Sequence, residues 1–164
     1  MPNIILIGMP GSGKSTIGVL LAKELGYEFI DTDLLIQRLH QAKLAEIIEK
    51  EGNEGFLRIE NEVCRSLKAD YAVIATGGSA VYSPEAMAHL KKLGRIIYLH
   101  VELEKLKKRL QDIKARGVVL PQGMALEDIY RERKVLYERY ADLTIAEEND
   151  TLEESVARVL EAMC

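Results

Sequence analysis

The stretch that decides the fold is "IILIGMPGSGKSTIG", residues 4–18. Its first four residues are an unbroken apolar run, which suits a strand covered on both faces better than one with a solvent side. The run ends in "GMPGSGKS", residues 8–15, which fills the pattern G-x-x-x-x-G-K-[ST] at every specified position. Each of those positions has a physical purpose. Glycines let the backbone curl so that its N–H groups converge on phosphate oxygens. Lys14 brings a full positive charge to the terminal phosphates, and the Ser15 hydroxyl suits a magnesium ion. A helix starting here adds the positive end of its dipole. Residues 15–25 have helical periodicity and stop at Gly26, a residue that tolerates the left-handed helix-ending conformation. Strand, glycine loop and helix in that order point to a nucleoside triphosphate site.

Outward from this unit the chain alternates strands and helices. Strands are expected at 27–31, 71–75, 95–100 and 142–146. Helices are expected at 33–41, 45–52, 53–68, 84–93, 102–115 and 126–140, and after "TLEE" at 151–154, which reads as a capping box. Ser83 and Pro84 mark the start of the helix that ends before Gly94, and Gly52 separates two helices. Regular alternation of this kind argues for an α/β layer fold with a parallel sheet. In such folds ligands sit beyond the carboxyl ends of the strands. The polar and glycine-rich peculiarities all fall there: the loop at 8–15, "DTD" at 31–33 and "TGGS" at 76–79.

Composition narrows the choices. With 164 residues the chain fits one compact domain, and a net charge of −4 gives no basic footprint for nucleic acid. No apolar run approaches a membrane span, and the N-terminus reads as a first strand and not a signal peptide. The two cysteines, Cys64 and Cys164, lack metal-type spacing and read as reduced thiols of a cytoplasmic protein. His40, His89 and His100 stand near no nucleophile and read as structural or solvated. Nothing marks an oligomer interface, so a monomer is expected.

Two aspartates two apart, Asp31 and Asp33, follow the second strand. One suits the metal, and the other suits a hydroxyl that must be oriented for attack. Asp33 also suits the N-cap of the next helix. Arginines recur at 58, 109, 116, 131 and 133, and the loop that opens at Arg116 has the glycines of a flap that excludes water.

Together these residues resemble the shikimate kinase family, within the nucleoside-monophosphate-kinase-like group of phosphate-loop kinases. The resemblance rests on "GMPGSGKSTIG" (8–18), "DTD" (31–33), "GF" and "RIE" within 55–60, "TGG" and "AV" within 76–81, the arginine at 116 and "ERKVLYERYADLTI" (132–145). It implies a five-stranded parallel sheet in the order 2-3-1-4-5 with helices on both faces. It implies one domain over 1–164: a core of 1–32, 70–115 and 134–164, acceptor-binding helices over 33–69 and a lid over about 116–124. The implied reaction moves the γ-phosphoryl of Mg-ATP to the 3-hydroxyl of shikimate. Gly11, Ser12, Gly13, Lys14, Ser15 and Thr16 would hold the nucleotide, and Arg109 would pack on its adenine. Ser15 and Asp31 would hold Mg²⁺, Asp31 through water or directly. Lys14, Asp33 and Arg116 would be catalytic. Asp33, Arg58, Gly77, Gly78 and Arg133 would bind the acceptor, and Glu60 would orient neighbouring cations.

Three positions depart from the family pattern. Leu57 stands where the family has an arginine directly after the Phe, with Arg58 one residue later. Ser79 replaces the last glycine of a triplet, and Gly117 replaces the proline that follows the lid arginine. Losing one charge-assisted hydrogen bond to the acceptor carboxylate costs about 1.5–3 kcal/mol, or roughly ten- to 150-fold in affinity. Two other readings therefore stay open: a related kinase for a different hydroxylated acceptor, and a non-catalytic nucleotide-binding module.

Overall fold

The computed structural model describes residues 3–114 and 125–164. The expected lid, with Arg116 and Gly117, lies outside the described residues. Five parallel strands form the sheet: β1 (Asn3–Ile7), β2 (Glu28–Asp31), β3 (Ala72–Ala75), β4 (Gly94–His100) and β5 (Leu143–Ala146), in the order β2-β3-β1-β4-β5. The expected order is the observed one. β1 and its neighbour β3 are the two strands buried along their whole length, and β1 lies between β3 and β4. Ile5 lies opposite Ile74 on β3 and Ile96 on β4.

Alternation along β1 feeds two separate cores. Ile4 and Leu6 pack with Ile17 and Leu21 of helix α1 (Lys14–Leu25) and with Val156 and Val159 of α7 (Leu152–Met163). Ile5 and Ile7 face the opposite layer, which contains Met87 and Leu90 of α4 (Pro84–Leu93), Leu106 of α5 (Leu103–Lys114) and Tyr137 of α6 (Leu126–Tyr140). Each fully buried Ile or Leu contributes about 1.5–3 kcal/mol through burial. The two layers thus clamp the strand whose end carries the phosphate loop.

A smaller third core sits beside the sheet. Ile36 of α2 (Thr32–His40) packs with Ile47, Phe56 and Val63 of α3 (Leu44–Ser66). The expected break at Gly52 is present: its φ of 74° and ψ of 174° are not helical, so α3 consists of two helical segments that meet there at a kink. The kink lets both halves of α3 wrap the same apolar cluster.

Two local expectations need correction and a third holds. The N-cap of α2 is Asp31, not Asp33: its carboxylate accepts from the backbone N–H of Asp33 (2.9 Å) and Leu34 (3.2 Å). β2 ends at Asp31 and the helix follows without a spacer, so the cap falls two residues early. Ser83 occupies the N-cap position of α4 without a side-chain capping bond, and Pro84 is at the first turn. Thr151 does cap α7, accepting from Glu154 N–H at 3.2 Å.

Candidate active site

The loop after β1 and the start of α1 form one wall of a cavity of about 380 Å³. Gly11 and Gly13 have φ of 81° and 92°, left-handed values that a side chain disfavours, so the loop's curl depends on their being glycine. The Lys14 ammonium lies under the curl and donates to the carbonyls of Gly8 (2.6 Å) and Met9 (2.9 Å). Burial pulls this ammonium down to about 8, while the nearby Asp33 carboxylate raises it. Ser15 and Thr16 are exposed at the rim.

The Ser15 hydroxyl donates to Asp31 Oδ2 at 3.0 Å, and Asp31 Oδ1 caps α2. One carboxylate thus joins the loop to the next helix. This pair offers hard oxygen donors without a closed protein cage, which suits Mg²⁺ because that ion keeps waters and substrate phosphates among its ligands. Among the described residues no group of three or more His, Cys, Asp or Glu side chains is arranged to hold a metal.

The opposite wall comes from α2, α3, α6 and the turn after β3. Leu44, Ile48 and Phe56 supply an apolar floor. Asp33 and Glu60 converge above Gly77. A Cβ on that glycine would lie 2.7 Å from Asp33 Oδ1 and would also collide with Glu60 Oε2. Gly77 is therefore the residue that leaves room for two carboxylates. Burial, reinforced by Asp31, raises the Asp33 carboxyl to about 6 against the pull of Lys14. Glu60 is 1% exposed, and burial raises it to about 7. Its Oε1 accepts from the Ser79 hydroxyl at 2.6 Å, and its Oε2 has no hydrogen-bond partner among the described residues.

Arg133 closes this wall. It is 3% exposed, it lies across the Tyr82 ring at 5.4 Å and its Nε donates to the Tyr82 hydroxyl at 3.4 Å. A Cβ on Gly78 would lie 2.8 Å from its Nη1. No carboxylate forms a salt bridge with Arg133 among the described residues. One turn further along α6, the Tyr137 hydroxyl donates to the Gly78 carbonyl at 2.7 Å. Arg133 and Tyr137 thus dock α6 on the glycine turn.

The expected site residues divide accordingly. Gly11, Gly13, Lys14, Ser15, Thr16, Asp31, Asp33, Glu60, Gly77, Gly78 and Arg133 line one cavity. Ser12 is buried in the loop behind it. Gly77 N–H already donates to Thr32 Oγ1 at 3.1 Å. Arg109 lies at the loop's outer edge, donating to Gly11 O at 3.0 Å and pairing with Glu147. Arg58 is not brought in. It is exposed, and its Nη2 lies 3.7 Å from the position of a Cβ on Gly55, outside the cavity lining. The helix explains this: at about 100° per residue, Glu60 returns near the direction of Phe56 whereas Arg58 faces away. Leu57 does not line the cavity either. Several contributors were not anticipated. Tyr82 and Glu147 lie in no motif, Thr32 and Tyr137 lie inside motifs that gave them no role, and only the three-dimensional contact reveals all four.

The family model for shikimate kinase matches residues 10–164. The chain belongs to the shikimate kinase family. A shikimate kinase of Rippkaea orientalis is 41% identical over an alignment covering 98% of this chain and 87% of the relative. A shikimate kinase 2 of Yersinia pseudotuberculosis is 45% identical over 67% of this chain, an alignment that spans 63% of that relative. Among solved structures, the shikimate kinase of Acinetobacter baumannii in complex with shikimate superposes with a TM-score of 0.89 at 34% identity, covering 99% of this chain and 93% of that one. The shikimate kinase family transfers a phosphoryl group to an alcohol, and this chain is a phosphotransferase of that type. Neither the different acceptor nor the non-catalytic module gains support from these relatives. Of the family departures, Ser79 is conformationally benign: its φ of −94° suits any residue, so the freedom of a third glycine is not needed.

Proposed function

We propose that the protein transfers the γ-phosphoryl group of Mg-ATP to the 3-hydroxyl of shikimate, with the loop wall as donor site and the Asp33–Glu60–Arg133 wall as acceptor site. The observation that carries the acceptor assignment is Arg133: a buried guanidinium without a carboxylate partner among the described residues, on the wall of a cavity whose other side is a phosphate loop. A buried cation left uncompensated is costly, and an acceptor carboxylate offers it a bidentate partner.

In this reading Lys14 leaves its loop carbonyls for the terminal phosphates, and Gly11, Ser12, Gly13 and Thr16 complete the phosphate cradle. Ser15 and Asp31 hold Mg²⁺, which supplies charge neutralisation at the phosphates when bound. Arg109 flanks the nucleotide, anchored by Glu147. The acceptor hydroxyl rests on the Asp33 carboxylate, which takes its proton as the oxygen attacks the γ-phosphorus and the bond to the leaving ADP oxygen breaks. A base raised to about 6 is ionised at neutral pH yet basic enough to accept that proton. Gly78 presents its N–H to the acceptor, since that of Gly77 is engaged. Arg116 and the lid over about 116–124 close the site, and residues 33–69 form its acceptor-binding part. The working unit is a cytoplasmic monomer without nucleic-acid or membrane partners. Among the described residues no helix is long and apolar enough to cross a membrane.

The test is ADP formation by the purified protein with Mg-ATP and shikimate. Saturable, shikimate-dependent turnover is expected. Absence of it, with turnover on another polyol or sugar acid, would sink the reading.

A further inference from the structure

Glu60 is a carboxylate in an unusual position. It is almost fully buried, it lines the acceptor wall, and no Lys or Arg forms a salt bridge with it among the described residues. The charged groups around it come from every neighbouring element: Asp33 on α2, Arg133 on α6 and Lys14 on α1. Cys64, one turn on along α3, is buried, and its thiol is pushed up to about 12, first by burial and then by Glu60. The position that would put a cation one helical turn before Glu60 is 57, because residues three apart on a helix are neighbours. That position carries Leu57, and the arginine next to it faces away. The only hydrogen bond that Glu60 receives from a described side chain comes from Ser79 Oγ, at 2.6 Å. Ser79 itself is a departure from the family's glycine, and the backbone there has no need of glycine.

We propose that Ser79 is a positioning residue of the acceptor site: its hydroxyl fixes the Glu60 carboxylate over Gly77, doing for Glu60 what a cation at position 57 would do. As regards the hold on Glu60, the two departures are then one compensated exchange; the bond that a cation at position 57 would make to the acceptor carboxylate is not replaced. Without the hydroxyl, both oxygens of a buried carboxylate lack partners. The group then takes up a proton more readily or swings toward Asp33 and the space where the acceptor lies.

This inference rests on the acceptor-site reading above, so its test has one arm that needs no substrate. In unliganded protein with ¹³C-labelled glutamate, the Glu60 carboxyl resonance, identified by its loss in Glu60→Gln, is titrated in wild type and Ser79→Ala. The midpoint is expected to rise by about one pH unit or more in the variant, since the lost bond favours the ionised form. The second arm is kinetic. Ser79→Ala is expected to raise the shikimate KM roughly ten-fold while leaving the ATP KM unchanged. Ser79→Thr, which keeps the hydroxyl, is expected to restore it. In a Leu57→Arg background the same Ser79→Ala change should cost roughly two-fold or less, because the new cation holds Glu60; such non-additivity is the signature of a shared partner. An unchanged Glu60 midpoint, or equal kinetic costs in both backgrounds, would overturn the proposal. Failure of wild type to use shikimate would overturn the functional reading instead, with the titration still deciding the role of Ser79.

Discussion

The two walls of the cavity are built by different means. The donor wall is almost entirely local chain: residues 8–16, closed by one carboxylate at Asp31. Its shape comes from backbone curl, two left-handed glycines and one buried lysine. The acceptor wall is assembled from α2, α3, α6 and the turn after β3, and its chemistry is carried by side chains that meet only in the folded state. The contrast sets where this family member is free to vary. A backbone-built phosphate site fails if a glycine changes, whereas a side-chain-built acceptor site can exchange one partner for another. Ser79 is in the second wall and Leu57 lies on α3 behind it, outside the cavity lining, while the first wall has no departures.

Substitutions separate the walls. The largest effect is expected at their junction. Asp33→Asn should lower kcat by about 100- to 10,000-fold, the usual range for a lost general base, with protein that still folds; near-normal turnover would remove Asp33 from the mechanism. Lys14→Ala should cost about 100- to 1,000-fold in kcat while the shikimate KM stays within about two-fold. An equal loss in acceptor affinity would show that the walls are not independent. Leu57→Arg is expected to lower the shikimate KM by about ten-fold at most, with no change for ATP. A worse KM would mean that the apolar side chain is itself part of the acceptor fit.

The smallest effect is on stability. Glu60 has an ordinary value of 4.5 and is raised to about 7 in the folded state. The fold therefore prefers it protonated, so its stabilising contribution is full below 4.5 and is lost as pH rises through 7. Glu60→Gln, which is neutral at every pH, should melt higher than wild type at pH 8, by about 3 °C or more, and the advantage should vanish as pH falls toward 5. Thermal scans across that window check it, and a pH-independent difference would contradict the assigned burial cost.

How much of this was legible in the sequence follows the same division. The sheet order could be expected from the resemblance, and the burial of β1 on both faces from Ile4–Ile7 alone, because an unbroken apolar run has no face to offer solvent. The loop, its lysine and the Ser15–Asp31 pair were legible for the same reason: their partners are near in sequence or fixed by a motif. The direction of Arg58 was half-legible. Helical geometry puts it a long way round from Phe56, but the length of an arginine left its reach open. The Ser79–Glu60 bond, the Tyr82 support of Arg133, the Tyr137–Gly78 bond and the Glu147 anchor of Arg109 were not legible, since each joins elements far apart in the chain. The cap of α2 was misplaced by two residues because strand and helix abut at Asp31 without a turn.

The central claim is that one buried cation, Arg133, recognises the acceptor in a wall separate from the nucleotide's. The most direct measurement is the pair of Michaelis constants, for shikimate and for ATP, in wild type and Arg133→Met, which keeps a long apolar stem. The shikimate constant is predicted to rise roughly ten- to 150-fold, with the ATP constant within about two-fold of wild type. An unchanged shikimate constant, or an equal rise in both, would contradict the account.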